Sequence, residues 1–180
     1  MVQYRKLNTD ELTVDLFRTF RRRQVVTDCW RKEDGLWVIK SDPFIDDWDQ
    51  DDYKFLARCL KNTLATGGLV YGAFVNGELK GFTSVEGALM GSRRQYMDLT
   101  SIHVSQDMRG QGIGRELFAA AKSFAREKGA EKLYISAHSA VESQAFYRAM
   151  GCTEAEEYIS EHVEREPYDC QLECPLHILF

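Results

Sequence analysis

Proline is scarce in this chain, with 3 in 180 residues, cysteine is odd in number at 5, and basic residues are outnumbered, 23 against 28 acidic. Each shortage excludes something. Low proline and 44% hydrophobic residues, with no internal repeat, low-complexity tract or linker in view, argue for one buried core, so a single domain over residues 1–180 is expected. Cys29, Cys59, Cys152, Cys170 and Cys174 are too scattered for a disulfide framework, which predicts reduced thiols. A formal charge of −5 speaks against a general nucleic-acid binder. The opening MVQYRKLNTDEL has no apolar core of signal-peptide length, and no run reaches the ~18 apolar residues of a membrane span. The expectation is a soluble, cytoplasmic protein. His103, His138, His162 and His177 do not complete a ligand set with Cys170 and Cys174, so no metal is expected.

What is present is periodic. VQYRKL alternates as a short strand, and Asn8, Thr9 and Asp10 offer caps for a helix through LTVDLFRTFRRR, whose Arg21-Arg22-Arg23 end reads as solvated. From Gln24 to about Gln50 the period dissolves around Trp30, Trp37, Trp48, an Asp34-Gly35 turn and the acidic run SDPFIDDWDQDD. YKFLARCLKNTLA returns to helical spacing, with Phe55, Leu56, Cys59, Leu60, Thr63 and Leu64 predicted on one face. Two strands meet at Asn76-Gly77, a dipeptide made for a type I′ hairpin, and QYMDLTSIHV follows as a third antiparallel strand. A helix closed by Gly129, the strand KLYISAH, a helix in SAVESQAFYRAM closed by Gly151, and two terminal segments, EEYIS and YDCQLECPL, complete the order. Antiparallel strands followed by a β-α-β unit predict an α/β fold: a mixed, mostly antiparallel sheet with helices on both faces.

At the junction of the third strand with its helix stands RGQGIG, Arg109 to Gly114. A helix start leaves N–H groups unpaired and gathers the positive end of the dipole, and glycine lets an anion approach. No Lys-Ser/Thr follows, so a Walker loop fails, and Gly-x-Gly-x-x-Gly spacing is missing, so a dinucleotide fingerprint fails.

The stretch resembles the acetyl-coenzyme A loop of the GNAT N-acetyltransferase superfamily, Arg/Gln-x-x-Gly-x-Gly/Ala, with Arg109, Gly112 and Gly114 in place, and the element order is similar over nearly the whole chain. The resemblance implies a GNAT fold with a parallel β-α-β splay at the coenzyme site. It implies acetyl-coenzyme A as co-substrate, held by Ile102, His103 and Val104 along pantetheine and by Arg109, Gly110, Gln111, Gly112, Ile113 and Gly114 at the pyrophosphate. Acetyl transfer to an amine needs a neutral nucleophile, a stabilised oxyanion and a thiolate that can leave. Asp98, read as in phase with Ile102 and Val104, matches the offset of a family glutamate and is the expected base, with Glu86 in reserve. Tyr147 matches a tyrosine near the coenzyme sulfur. Where the family often has asparagine this chain has Ala140, so Ser139 is expected to substitute as a coenzyme contact.

The expected acceptor is a primary amine, a small cationic one favoured by the tryptophans and by Asp42, Asp46, Asp47 and Asp49, attacking directly in a ternary complex. A coenzyme-binding regulatory module and a protein-modifying acetyltransferase are the rivals. Neither nucleic acid nor membrane is an expected partner; a homodimer is compatible.

Overall fold

The computed structural model describes residues 1–177. Its main sheet has seven strands in the order β1-β4-β5-β6-β7-β9-β8: β1 (Val2–Lys6), β4 (Leu69–Val75), β5 (Glu78–Met90), β6 (Tyr96–Val104), β7 (Lys132–Ala137), β8 (Thr153–Glu154) and β9 (Cys170–Pro175). β2 (Arg23–Glu33) and β3 (Leu36–Asp47) form a separate two-stranded ribbon. The helices are α1 (Gln50–Ala65), α2 (Ile113–Glu127), α3 (Val141–Ala149) and the short α4 (Ser160–Arg165).

Two cores sandwich the sheet. Phe118, Ala121 and Ala125 of α2 pack against Val85, Met97, Leu99, Leu133 and Ile135, while Tyr53, Leu56 and Leu60 of α1 join Phe17, Phe20, Val70, Phe74 and Phe82. Burial of the larger aliphatic and aromatic side chains, each worth about 1.5–3 kcal/mol, is what holds the helices to the sheet. The α/β mixed sheet read from the sequence is present, and the Asn76-Gly77 turn has the expected positive φ values of 51° and 79°.

Several local expectations are corrected. The first helix is absent: Thr9–Glu11 and Val14–Phe17 are two 3₁₀ turns, and Arg22 precedes β2 instead of ending a helix. The irregular segment is the β2–β3 ribbon, turned at Asp34-Gly35 with φ of 49° and 79°. On α1 the buried face is rotated to Tyr53, Leu56, Ala57, Leu60 and Thr63, and Phe55 and Cys59 face outward. EEYIS is not a strand but the approach to α4.

Among the described residues the sheet has one parallel pair, and it is short. β6 meets β7 only through Tyr96–Asp98 against Lys132–Tyr134, and beyond Asp98 the two strands part. Among the described residues the edge of β6 from Leu99 to Val104 therefore has no strand partner on that side. β6 also carries one extra residue: Val85 pairs Leu99 and Ser84 pairs Ser101, leaving Thr100 over. Met97 and Leu99 before this bulge, and Ile102 and Val104 after it, all face α2.

Candidate active site

A cavity of about 700 Å³ fills the fork between β6 and α3. Its walls come from Ile102, His103 and Val104 of β6, the loop through Arg109, Gly110, Gly112 and Ile113, and Phe146, Tyr147 and Met150 of α3. Arg22, Gln24 and Val25 at the root of the ribbon close the other end, with His138 beyond β7.

The loop is shaped for an anion. Gly112 caps α2 with φ of 83°, Gly110 has φ of 79°, and a Cβ at either would meet no atom within 4 Å. These glycines are thus required by the backbone turn and by what approaches from outside, not by crowding within the protein. Gly114 differs: its Cβ would stand 3.1 Å from the Phe146 ring, so it serves the close packing of α2 on α3. With first-turn N–H groups and the dipole of a fifteen-residue helix behind it, the loop fits a pyrophosphate. The free edge of β6 fits an extended pantetheine arm by strand addition.

Tyr147 lines the cavity, and burial raises its phenol well above the ordinary value. The hydroxyl therefore stays protonated through the neutral and mildly alkaline range. His103 is pushed down to about 3 by burial and by the nearby Arg22 and Arg109, and His138 is lowered chiefly by burial. Both rings are neutral at pH 7. His103 Nδ1 accepts from Arg22 Nε at 3.1 Å and His138 Nδ1 from the Ala140 N–H at 3.1 Å. Each ring's proton accordingly sits on Nε2, which makes both histidines donors and neither a base at that atom.

Asp98 does not stand where its expected role needs it. The Thr100 bulge shifts the phase, so Asp98 lies on the face opposite Ile102 and Val104 and outside the cavity lining. Its Oδ2 meets His162 Nε2 of α4 at 2.7 Å, while Oδ1 is buried with no partner among the described residues. The reserve, Glu86, accepts from Thr63 Oγ1 at 2.6 Å and is likewise outside the cavity. Ser139 is also displaced from its expected contact: its Oγ accepts from Arg31 at 2.7 Å and it lines no part of the cavity. Ser143, in the first turn of α3, does line it, held by Gln24 Nε2 at 3.2 Å.

The expected acceptor wall is corrected too. None of Trp30, Trp37 and Trp48 reaches the cavity. Asp42 pairs with Arg31, Asp46 with Arg22 and Asp47 with Arg23, and Asp49 caps α1. What the sequence reading missed is Arg22: buried, on the cavity wall, and recognisable in sequence only had the helix before it not been assumed.

The Asp98–His162 pair has a measurable signature. Hydrogen bonding to Asp98 raises the His162 pKa, so the pair's contribution is fully present below about pH 6.5 and is lost as pH rises through the higher native value. Thermal melts across that window should show wild-type protein losing stability that His162→Asn lacks at every pH. Parallel melting curves for the two proteins would remove the pair from the account.

A strand edge opened toward a glycine-capped helix start, with a protonated phenol across the gap, defines an acyl-coenzyme A-dependent transferase. A sequence model described as the acetyltransferase (GNAT) family matches residues 17–152, and the chain belongs to that family. It is an acetyltransferase that uses acetyl-coenzyme A. Among solved structures, nourseothricin acetyltransferase aligns with a TM-score of 0.70 at 18% identity, covering 98% of this chain and 99% of that one. A streptothricin acetyltransferase described as putative from Bacillus anthracis str. Ames, in complex with acetyl coenzyme A, aligns at 0.70 with 16% identity and 99% of each chain. The PaiA N-acetyltransferase of Thermoplasma acidophilum in complex with coenzyme A aligns at 0.60 with 13% identity, 97% of this chain and 99% of that one. At these identities the likeness shows the fold. A sequence search of curated proteins returns no significant match. Among the described residues no cluster of three or more His, Cys, Asp or Glu groups could hold a metal, and no helix is long and apolar enough to cross a membrane.

Proposed function

We propose that this enzyme acetylates the primary amine of a small molecule by direct attack while both substrates are bound. The observation that carries the reading is the unpaired inner edge of β6, opening between the α2 start and Tyr147. When bound, acetyl-coenzyme A supplies the activated acyl group. The N–H groups around Gly112 would hold its pyrophosphate, and the backbone of Ile102, His103 and Val104 its pantetheine arm. Tyr147 would donate a hydrogen bond to the departing sulfur. The acceptors named for the nourseothricin and streptothricin enzymes support a small molecule over a protein. Unpaired cysteines at all five positions support a reducing, cytoplasmic setting. Alignment over nearly the full length of these neighbours supports one domain.

With Asp98 turned away and Glu142 the single carboxylate on the cavity wall among the described residues, no buried base faces the acceptor end. The amine is then deprotonated by water, and turnover should climb with pH toward the amine's own pKa, ~10 for an alkylamine. The primary test is release of free thiol from acetyl-coenzyme A on adding amines. Acetyl-coenzyme A at a hundredfold excess over its dissociation constant should add about 2.7 kcal/mol of stability. A stabilising shift with no amine-dependent thiol release would favour the coenzyme-binding module instead.

A further inference from the structure

Arg22 has more charge to place than the protein gives it partners for. Its side chain is 8% exposed. Nε donates to His103 Nδ1 at 3.1 Å, and NH2 to Gln24 Oε1 at 3.2 Å and Asp46 Oδ2 at 3.3 Å. NH1 is buried and has no partner among the described residues. Asp46, the one carboxylate on the guanidinium, is 34% exposed and meets it through NH2 alone. One face of the guanidinium lies over the Trp48 ring, 5.2 Å from its centroid, and the residue lines the cavity, so a charge held by a single half-exposed carboxylate is presented to whatever enters.

The surroundings say what kind of partner. Arg22 shares the cavity wall with Arg109 and Arg115, against Glu142, the one carboxylate there among the described residues. The pKa of Arg109 is lowered by burial and then by the charge of Arg22. His103 and His138 face the same space as neutral Nε2–H donors. The Gln24 amide reaches Ser143 across the mouth. With Arg109 and Arg115 set aside for the phosphate end, the Arg22 end still offers Arg22, His103 and His138 as donors and no carboxylate of its own wall among the described residues, the complement of an anion.

Two sources of anion exist, the coenzyme's phosphates and the acceptor. Position separates them. The phosphate site is at the α2 start, whereas Arg22 contacts His103, whose ring packs between Trp48 and Phe82 on the face of the sheet opposite α2. Arg22 is fixed there from both sides: the Arg21 N–H donates to Ser105 Oγ at 3.0 Å, the Gln106 N–H to the Arg21 carbonyl at 2.9 Å, and the Arg22 N–H to the Tyr53 hydroxyl at 3.1 Å.

Resting on the acetyltransferase reading, we propose that the acceptor carries a carboxylate as well as its amine, and that Arg22 is the residue that recognises it. The substrate class is a small amino acid-like zwitterion. Ammonium and carboxylate then enter together, the carboxylate docking on Arg22 while the amine is directed to the fork beside Tyr147. This replaces the cationic preference read from the acidic run, whose carboxylates are spent on arginines and a helix cap.

The test pairs ω-amino carboxylates of increasing chain length with the matching n-alkylamines. In wild-type enzyme the best carboxylated acceptor should exceed its partner in kcat/KM by at least about tenfold, mostly through KM. Arg22→Gln should bring that ratio toward one while the coenzyme A dissociation constant stays put. Arg22→Lys, which keeps the charge but not the fork, should recover part of the preference. A brace with no contact to substrate would slow both members of a pair alike. An independent arm needs no turnover: coenzyme A-saturated wild-type protein should melt higher with the amino carboxylate than with the alkylamine. A ratio that favours the plain amine, equal melting with both ligands, or an Arg22→Gln defect that lies in coenzyme A affinity would each overturn the proposal. Turnover of alkylamines alone would do so while leaving the acetyltransferase reading intact.

Discussion

Replacing Gly112 with valine should weaken coenzyme A binding by about a hundredfold or more, the equivalent of roughly 2.7 kcal/mol, in a protein that still folds. The reason lies in two numbers. Gly112 has φ of 83°, a conformation that a β-branched residue all but forbids, and its virtual Cβ meets nothing within 4 Å. The substitution therefore bumps no side chain. It re-aims the first N–H groups of α2 and puts methyl groups where the phosphate should rest. Alanine at the same place, smaller and less strained, should weaken binding by only about tenfold.

Gly129 provides the control. It also has positive φ, 87°, with open space around its virtual Cβ, but it follows the far end of α2. Gly129→Val should lower stability by about 1–3 kcal/mol and leave coenzyme A affinity unchanged by calorimetry. Equal affinity losses in the two variants would mean that general strain, not the anion cradle, is being measured.

The second large effect is expected at Tyr147. Tyr147→Phe keeps the ring against Phe146 and removes the hydroxyl, so turnover should drop by about 10²-fold with coenzyme A affinity intact. Because burial holds the phenol protonated, the deficit should be the same at pH 7 and pH 9. Asp98→Asn is the informative contrast. With its carboxylate on His162 and its side chain on the far face, turnover should stay within about fivefold of wild type at every pH, while the melting temperature falls. A turnover defect in Asp98→Asn that is deep at neutral pH and heals on raising pH would restore Asp98 as the base and overturn the placement argued above.

How much of this could be read from the residues divides along physical lines. The Asn76-Gly77 hairpin, α2 and the glycine loop were legible because each depends on neighbours in sequence: a dipeptide with positive φ, a 3.6-residue period, glycines at a helix start. The ribbon was not, because a two-stranded element that stands off the sheet buries only Val26 and Cys29 along its length. Val25, Leu36, Trp37, Ile39, Phe44 and Ile45 are all exposed, so no alternation marks it as β structure. Asp98 illustrates a third case. Its strand was read correctly, but phase counted from Ile102 fails once Thr100 bulges, and an inserted residue leaves no trace in an alternating pattern. Arg22 was lost with the helix that is not there; three arginines in a row read as solvent-facing until the tertiary structure buries the middle one.

The ribbon's seam ends in a side chain with its own chemistry. Cys29 is fully buried against Val26 and Ala140, and the Trp30 N–H donates to the Ser139 carbonyl at 2.8 Å, so β2 is stitched to the link between β7 and α3. A thiol sealed in that way can react only when the stitch comes undone. Its alkylation rate is then a clock for detachment of the ribbon from the body, read separately from the exposed Cys59, which is labelled at once. Slowing of that clock by coenzyme, by acceptor or by both would reveal which substrate seals the enzyme, using a reporter that evolution has already installed.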